Sequence, residues 1–297
     1  MTEADFAFLR LLLQQRSGLS LTADKRYLAE SRLGILCRRR GIADLEALVR
    51  QLRLSRDPGL ESAVVDAMTT NETLFFRDQT PFNLFRDVIL PERLAANAAS
   101  RSLRIWCAAV SSGQEAYSLA MLIDELGDRL AGWKIEILGT DISSEILEKA
   151  RAGIYSQFEI QRGLPIQMLL KHFQQVGDKW QVSQRIRSMV EFKPHNLLER
   201  NDPFGRFDVI FCRNVLIYFD VPTKVKVLEL LTPRLVPDGA FVLGAAETVL
   251  GLATKLTCDP QHRGLYRHPA MTAAPLASSP APGLRPRPVV AVSALRG

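Results

Sequence analysis

Cysteine is scarce and scattered in this chain. The sequence has 297 residues and four cysteines, Cys37, Cys107, Cys212 and Cys258, with no C-x-x-C pair among them. This spacing argues against a zinc site and against a disulfide framework, and it is typical of proteins in a reducing compartment. We therefore predict a cytoplasmic protein without a metal site.

Long apolar runs are missing too. No stretch approaches the roughly 18 consecutive apolar residues of a membrane-spanning helix, and Glu247 interrupts the most apolar late segment, residues 241–252. The first residues, MTEADFAFLR, carry acids where a secretory signal has a basic region followed by an apolar one. We expect neither secretion nor insertion into a membrane.

The glycine-rich fingerprint of NAD-binding enzymes, G-x-G-x-x-G, is absent as well. Only Gly113 lies in the turn at residues 110–115 (VSSGQE) that follows the apolar run at residues 103–109, so we do not expect a dehydrogenase. What is present, 47% hydrophobic and 24% charged residues, is typical of globular proteins. The length suffices for one large domain or two modest ones.

The hydrophobic periodicity divides the chain into segments. Residues 1–68 show helical spacing, with Gly18 and Gly41 predicted to end two helices. Residues 69–100 are predicted to form a linker and a helix that contribute to a cofactor site. Strands alternate with helices over residues 101–268, which indicates a parallel sheet with crossovers. A small antiparallel β subdomain is expected at about residues 176–190, with strands at 180–182 and 186–187. Residues 269–297, rich in Pro and Ala, are predicted to be disordered.

The basic residues are concentrated near the N-terminus. The formal net charge is +6, and residues 1–60 hold eleven Lys and Arg against seven Asp and Glu, with Arg38, Arg39 and Arg40 in a row. A run of charges is commonly a solvated helix face. It can equally be a docking face for an acidic partner.

Residues 103–144 have the pattern strand, small-residue turn, helix, strand and acid. In an open α/β sheet, ligands bind at the carboxyl ends of the strands, and an acid after the second strand can accept both ribose hydroxyls. Asp141 occupies that position. It can also cap the helix that begins near Ser143 and Ser144, and the two roles are compatible. The pattern indicates a cofactor that contains a nucleoside.

Polar residues follow other predicted strands. Arg213 and Asn214 follow the apolar run at residues 208–212, and Asn196 follows another strand. The segment TTNETLFFRD, residues 69–78, places Asn71 and Arg77 around two phenylalanines that suit a core. Near a pocket at the strand ends, these side chains would supply hydrogen bonds and a positive charge.

Five motifs in sequence resemble the CheR family, the chemotaxis receptor methyltransferases. They are TTNETLFFRD, SSGQEAYSLAM, TDISSEILEKARAGIY, HNLL and FCRNVLIYFD. The resemblance covers residues 1–268. It implies an all-helical N-terminal domain followed by a Rossmann-like α/β domain that uses S-adenosylmethionine and releases S-adenosylhomocysteine. The implied reaction is methyl transfer to glutamates of chemoreceptors, with a monomeric enzyme docking on their acidic helices.

The resemblance also assigns roles to residues of this chain. The implied cofactor contacts are Asn71, Thr73, Arg77, Gly113, Glu115, Asp141, Asn196, Leu197, Arg213 and Asn214. Arg77 and Tyr218 are expected to hold the substrate carboxylate. Arg32, Arg38, Arg39 and Arg40 form the expected docking face.

Two departures from the family pattern affect the expectations. Glu247 follows Gly-Ala-Ala where relatives commonly have His-Ser before this Glu, and it is assigned no role. The turn at Gly177 and Asp178 lacks the longer glycine-rich insertion of members that bind a receptor C-terminal pentapeptide. We therefore expect a pentapeptide-independent enzyme.

Two alternatives remain open. A methyltransferase for nucleic acid or a small molecule agrees with the pI near 9.3. However, the chain has neither an Asp/Asn-Pro-Pro-aromatic element for an exocyclic amine nor a Pro-Cys nucleophile. A non-catalytic adaptor that senses S-adenosylmethionine is the other alternative.

Overall fold

A helical domain forms the N-terminal part of the protein. The computed structural model describes residues 1–55, 57–200 and 203–268, so the prediction for residues 269–297 lies outside the described residues. The domain consists of α1 (Glu3–Ser17), α2 (Arg26–Arg40), α3 (Leu45–Ser55) and α4 (Pro58–Met68). Thr2 and Asp5 form a capping box at the start of α1. As predicted, Gly18 and Gly41 end α1 and α2 in the left-handed conformation.

The segment between the two domains is also helical in part. It contains α5 (Thr80–Leu84) and α6 (Leu90–Ala96), joined by a π-helical turn at Phe85–Ile89. Phe82 and Phe85 of this segment are buried and pack against Phe211 of the sheet. The linker is thus part of the core of the second domain.

The second domain is built on a seven-stranded sheet, in the order β6-β2-β1-β7-β8-β10-β9. Its strands are β1 (Ser102–Ala108), β2 (Lys134–Asp141), β6 (Val190–Pro194), β7 (Phe207–Cys212), β8 (Leu235–Leu243), β9 (Thr257–Cys258) and β10 (Leu265–Arg267). The first five pair in parallel, whereas β10 is antiparallel to β8 and to β9. The chain leaves β1 toward β2 on one side, and β7 lies on the other side, so the strand order reverses between β1 and β7.

Helices connect the strands of this domain. They are α7 (Gln114–Asp124), α8 (Ser144–Ala152), α9 (Gln157–Gln161), α10 (Ile166–His172), α11 (Gln184–Arg187) and α12 (Val221–Leu231). One core contains Tyr117 and Leu147 with the linker phenylalanines, and the other contains Trp106 and Leu228. The predicted fold class is confirmed.

The small β subdomain differs from its predicted boundaries. Its three strands, β3 (Ile154–Ser156), β4 (Phe173–Val176) and β5 (Lys179–Val182), pair in the order β3-β5-β4. The strand predicted at residues 186–187 is wrong, because Gln184–Arg187 is one helical turn whose Ile186 is buried. The subdomain therefore begins about 20 residues earlier than expected. In the described residues, no helix combines the length and apolarity that crossing a membrane requires.

Candidate functional site

A cavity lies at the carboxyl ends of the parallel strands. It encloses about 960 Å³ of space, solvent at its mouth included. Residues that follow β1, β2, β6 and β7 line it. Because the strand order reverses between β1 and β7, the cavity occupies the place where open α/β sheets bind ligands.

Nearly all of the site residues expected from the sequence line this cavity. They are Asn71, Thr73, Arg77, Glu115, Asp141, Asn196, Leu197, Arg213, Asn214 and Tyr218. Gly113 is not part of the lining. It lies at the N-cap of α7 with φ +93°, and a Cβ there would come within 3.1 Å of Ala150 and Phe192. Gly113 therefore serves the close packing of α7 on the sheet.

Asp141 is fixed at the end of β2 by backbone hydrogen bonds. Its Oδ2 accepts from the N–H of Ser111 at 2.8 Å, and its Oδ1 accepts from the N–H of Ser143 at 3.0 Å. Burial raises the pKa of Asp141, and these N–H groups partly offset the effect. The expectation that Asp141 caps α8 is wrong, because the Oγ of Ser143 accepts from the N–H of Ile146. The carboxylate of Asp141 also lines the cavity, where its remaining lone pairs can accept further hydrogen bonds.

A buried ionic cluster forms another wall. Nη1 of Arg213 donates to Oε2 of Glu115 at 2.7 Å, and Nη2 donates to Oδ2 of Asp78 at 3.0 Å and to the Arg77 carbonyl at 2.8 Å. The Arg213 guanidinium lies 5.4 Å from the Phe82 ring centroid. Burial raises the pKa of Glu115, and Arg213 opposes this effect. The cluster thus brings together three polar segments that are far apart in the sequence.

The segment at residues 69–78 wraps over the cavity. Phe75 is buried and packs edge-on against Tyr155 and Phe173, at 5.0 and 5.5 Å between centroids. This anchoring is the core role predicted for the phenylalanines. The Ser111 hydroxyl donates to the Asn71 carbonyl at 2.9 Å, so the segment is also tied to the turn after β1.

Arg77 extends from this wrapped segment into the cavity wall. Its Nη1 donates to the Glu72 carbonyl at 2.6 Å, and the side chain is half-buried. Arg77 thus places a cation in the cavity wall.

The helical domain closes one side of the cavity, a contact that was not predicted from the sequence. Ser17 and Leu19 line it. The Asn196 Nδ2 donates to the carbonyl of Arg16 at 2.7 Å, and the Ser20 N–H donates to the carbonyl of Tyr218 at 2.9 Å. The two domains therefore meet at the site itself.

The four arginines of α2 expected to form the docking face divide into two groups. Arg38, Arg39 and Arg40 are exposed. Arg32 is half-buried instead, and its guanidinium donates to the carbonyls of Met68 and Thr69 at 2.7 and 3.1 Å and to the Thr70 hydroxyl. Arg32 thus holds the junction between the domains, a role that its sequence position did not reveal.

Glu247 does not line the cavity but holds the backbone of a loop that does, a role that could not be expected from the sequence. Its carboxylate accepts four backbone hydrogen bonds, three of them from the loop that carries Asn214.

Over the described ranges 1–55, 57–200 and 203–268, no cluster of three or more His, Cys, Asp or Glu residues is arranged to hold a metal ion.

The donor set of the cavity fits an S-adenosyl cofactor. Asp141 can accept ribose hydroxyls, the amide of Asn196 and the side chain of Leu197 suit a purine, and Glu115 can accept from an ammonium group. Arg77 can pair with a carboxylate. The cavity thus offers a partner for each polar part of such a molecule.

Comparisons with known proteins agree with this geometry. The family model described as "CheR methyltransferase, SAM binding domain" matches residues 71–264, and "CheR methyltransferase, all-alpha domain" matches residues 4–69. "Chemotaxis protein methyltransferase 1" of Pseudomonas aeruginosa is 45% identical over 255 residues, covering 84% of this chain and 92% of the relative. The protein of the same name from Vibrio cholerae is 42% identical over 254 residues, with 84% and 91% covered.

Proposed function

Because the chain belongs to the CheR methyltransferase family, we propose that it transfers methyl from S-adenosylmethionine to glutamate side chains of chemoreceptors. The products are glutamate methyl esters and S-adenosylhomocysteine. The observation that carries this proposal is one cavity, at the reversal of strand order, lined by residues from all five family motifs. The names of the relatives, chemotaxis protein methyltransferases, support the receptor substrate.

The protein has little acid–base chemistry to perform. A glutamate side chain has a reference pKa near 4.3, so the attacking carboxylate is already ionised at pH 7. When bound, S-adenosylmethionine supplies an electrophilic methyl group with its own leaving group. The task of the chain is therefore to exclude water and to hold the substrate oxygen in line, about 3–3.5 Å from the carbon that it attacks.

Arg77 and Tyr218 are the residues that we assign to the substrate carboxylate. Both line the cavity, Arg77 from the wrapped segment and Tyr218 from the 3₁₀ turn at Leu216–Tyr218. A carboxylate that leaves water needs charged or hydrogen-bonding partners. The guanidinium supplies the charge and the phenol supplies a directional donor.

The cofactor contacts divide among the remaining residues. Asp141 receives the ribose, Asn196 and Leu197 receive the adenine, and Glu115 receives the ammonium end. Asn71, Thr73, Arg213 and Asn214 complete the wall. The ionised carboxylates also attract a cationic cofactor.

The exposed arginines of α2 are the proposed receptor-docking face. Arg38, Arg39 and Arg40 point to solvent at the end of α2, and receptor methylation helices are expected to be acidic. Arg32 contributes through the domain junction instead. The hairpin that joins β4 and β5 turns tightly at Gly177 and Asp178, which supports docking without a receptor pentapeptide.

The proposal is tested by methyl transfer from labelled S-adenosylmethionine to receptor-rich membranes, followed by mild alkali. Label on a receptor band that alkali releases as methanol is the expected result, because carboxyl methyl esters hydrolyse under these conditions. The Asp141→Asn variant serves as a control with a weakened cofactor site. Alkali-stable label would instead indicate nitrogen or carbon methylation. Cofactor binding without any transfer would favour the sensor alternative.

A further inference from the structure

Glu247 lies in the loop after β8 with its side chain turned into the protein, 8% exposed. Oε2 accepts hydrogen bonds from the N–H groups of Gly244 and Asn214, both at 2.8 Å. Oε1 accepts from the N–H groups of Val215 at 2.9 Å and Leu216 at 2.7 Å. One carboxylate thus joins the loop after β8 to the loop after β7.

These hydrogen bonds set the path of the loop that carries the site residues. Three consecutive N–H groups, of residues 214–216, converge on Glu247, and Asn214 adopts φ +58°, which is uncommon for a residue with a side chain. The 3₁₀ turn begins directly afterwards, and the Tyr218 N–H donates to the Val215 carbonyl at 3.1 Å. Asn214 and Tyr218, both in the cavity wall, therefore depend on a backbone that Glu247 holds.

The approach of the two loops is close. A Cβ at Gly244 would lie 2.7 Å from Oε2 of Glu247 and 3.1 Å from the Asn214 nitrogen. Glutamine cannot replace Glu247, because its NH₂ group would face two N–H donors in either orientation. Aspartate is one methylene shorter and cannot reach both loops. The arrangement thus requires a carboxylate at the length of Glu and a glycine opposite it.

We propose that Glu247 is a positioning residue for methyl transfer, which fixes the loop at residues 214–216 so that Tyr218 meets the substrate carboxylate. This inference rests on the proposed function, and it adds a residue to which the sequence motifs assigned no role. Glu247 acts through the backbone and makes no contact with the reacting atoms. A misplacement of about 1 Å in a reacting pair can cost on the order of 100-fold in rate.

The test compares Glu247→Gln with wild type at saturating cofactor and receptor, with the enzyme concentration taken from calorimetric titration of cofactor-binding sites. We expect kcat to fall about 10-fold, as far as in Tyr218→Phe, because Tyr218 is no longer held. Glu159→Gln is the matched control. Glu159 also accepts a backbone N–H, from Ser156 at 3.0 Å, in the cap of α9 outside the cavity, and its kcat should match wild type.

A double-mutant cycle with Tyr218→Phe separates positioning from general support of the fold. If Glu247 acts through Tyr218, adding Glu247→Gln to Tyr218→Phe lowers kcat much less than it does alone. The inference would be overturned if Glu247→Gln lowered kcat by the same factor with and without Tyr218→Phe. It would also be overturned if the kcat per binding site of Glu247→Gln equalled that of wild type. Gly244→Ala, which displaces the carboxylate without removing it, should lower kcat similarly and replaces Glu247→Gln in the comparison if that variant does not fold. Failure of wild type to transfer methyl would contradict the proposed function instead.

Discussion

Arg213 and Glu115 form a buried ion pair, with 2.7 Å between Nη1 and Oε2 and side-chain exposures of 1% and 11%. The pair joins the end of β7 to the first turn of α7. The same guanidinium also donates to Asp78 and to the carbonyl of Arg77. Arg213 therefore also contacts the backbone of the arginine that is proposed to bind the substrate carboxylate. The wall of the cavity is therefore held by one cation that three distant segments share.

Replacing Arg213 by methionine should destabilise the protein strongly. Arg213→Met leaves Glu115 buried without its partner, and breaking a buried pair in this way costs about 3–5 kcal/mol. Asp78→Asn is the matched control, because the Asp78 side chain is 36% exposed, an amide oxygen can still accept from Arg213, and Glu115 keeps its partner, so we expect a loss of about 1 kcal/mol. Urea unfolding measures both variants. Equal losses in the two variants would mean that the buried pair does not hold the wall.

Removing Arg77 or the Tyr218 hydroxyl should lower kcat more than it weakens cofactor binding. Arg77→Ala removes the cation proposed for the substrate carboxylate, and Tyr218→Phe removes the donor while keeping the ring. We expect losses of about 100-fold and 10-fold in kcat, respectively. Steady-state kinetics at saturating cofactor and receptor, beside a calorimetric cofactor Kd, separate the two effects. An unchanged kcat in Arg77→Ala would remove that residue from the substrate site.

The exposed arginines of α2 should control the affinity for receptor and nothing else. Changing Arg38, Arg39 and Arg40 to Glu reverses the charge of the proposed docking face, so the receptor KM should rise at least about tenfold while the cofactor Kd stays the same. The same change at the exposed Arg101, Arg129 and Lys255 alters the net charge equally and should leave KM near wild type.

Salt provides an independent check on this docking face. Charges at the surface are screened over roughly 10 Å at 0.1 M salt, so added salt should raise the receptor KM of wild type more than that of the α2 variant. Equal receptor KM values for the α2 variant and wild type would mean that these arginines form an ordinary solvated surface without a role in docking.

Some of the site could be predicted from the sequence because its signals are local. Asp141, Arg213 and Asn214 each follow an apolar run, and parallel strands place such positions at one edge of a sheet. Glu247 could not be found in this way, because its partners are backbone N–H groups up to 33 residues away. Backbone donors leave no residue type in the sequence to recognise.

The errors in the prediction of the fold have a similar origin. Residues 184–187 read Gln-Arg-Ile-Arg, and a single apolar residue among polar ones fits a short strand as well as one helical turn. The position of Ile186 was settled by its burial beneath α7 and not by local preference. The closure of the cavity by Ser17 and Leu19 depends on how two domains meet, for which the pattern within either domain holds no signal.

On acidification, cofactor binding should weaken at a higher pH than it would if the site carboxyls were exposed. Burial raises the pKa of both Asp141 and Glu115, so protonation of the unliganded site begins above the usual value of about 4. Binding of a cationic cofactor uses the ionised forms, and its Kd should therefore begin to rise at a higher pH than the one at which exposed carboxyls become protonated. In Asp141→Asn, binding should be weaker throughout and the pH dependence shallower. A Kd that stays constant until the pH reaches the usual carboxyl value of about 4 would contradict the expectation.

The same two groups should affect folding stability in the opposite sense. A carboxyl whose pKa is raised in the folded state contributes stability below the unfolded value of about 4, and this contribution is lost as the pH rises through the folded value. The increase in Tm caused by saturating cofactor should therefore grow with pH, because the ligand favours the ionised form that folding alone disfavours. Thermal unfolding with and without cofactor, at several pH values, measures this difference.

Gly163 should prove essential for the wrapped segment, whereas Gly177 should not. Both glycines have positive φ, +86° and +63°, but a Cβ at Gly163 would collide with the carbonyl oxygen of Phe75, while nothing lies within 4 Å of a Cβ at Gly177. Gly177→Ala should cost only the strain of the left-handed backbone, about 1–2 kcal/mol. Gly163→Ala adds a clash against buried backbone, for a total of about 2–5 kcal/mol.

The two glycine variants also test whether the wrapped segment shapes the cofactor site. Phe75 belongs to the segment that carries Asn71 and Arg77, so a displaced Phe75 carbonyl should weaken cofactor binding in Gly163→Ala and leave it unchanged in Gly177→Ala. Urea unfolding measures the stability of each variant, and calorimetry of the folded protein measures the cofactor Kd. If both variants lost the same stability and bound cofactor equally, the contact between Gly163 and Phe75 would not position the segment. A loss of stability and of cofactor affinity in Gly163→Ala alone would mean that the turn between α9 and α10 positions the segment that lines the cavity.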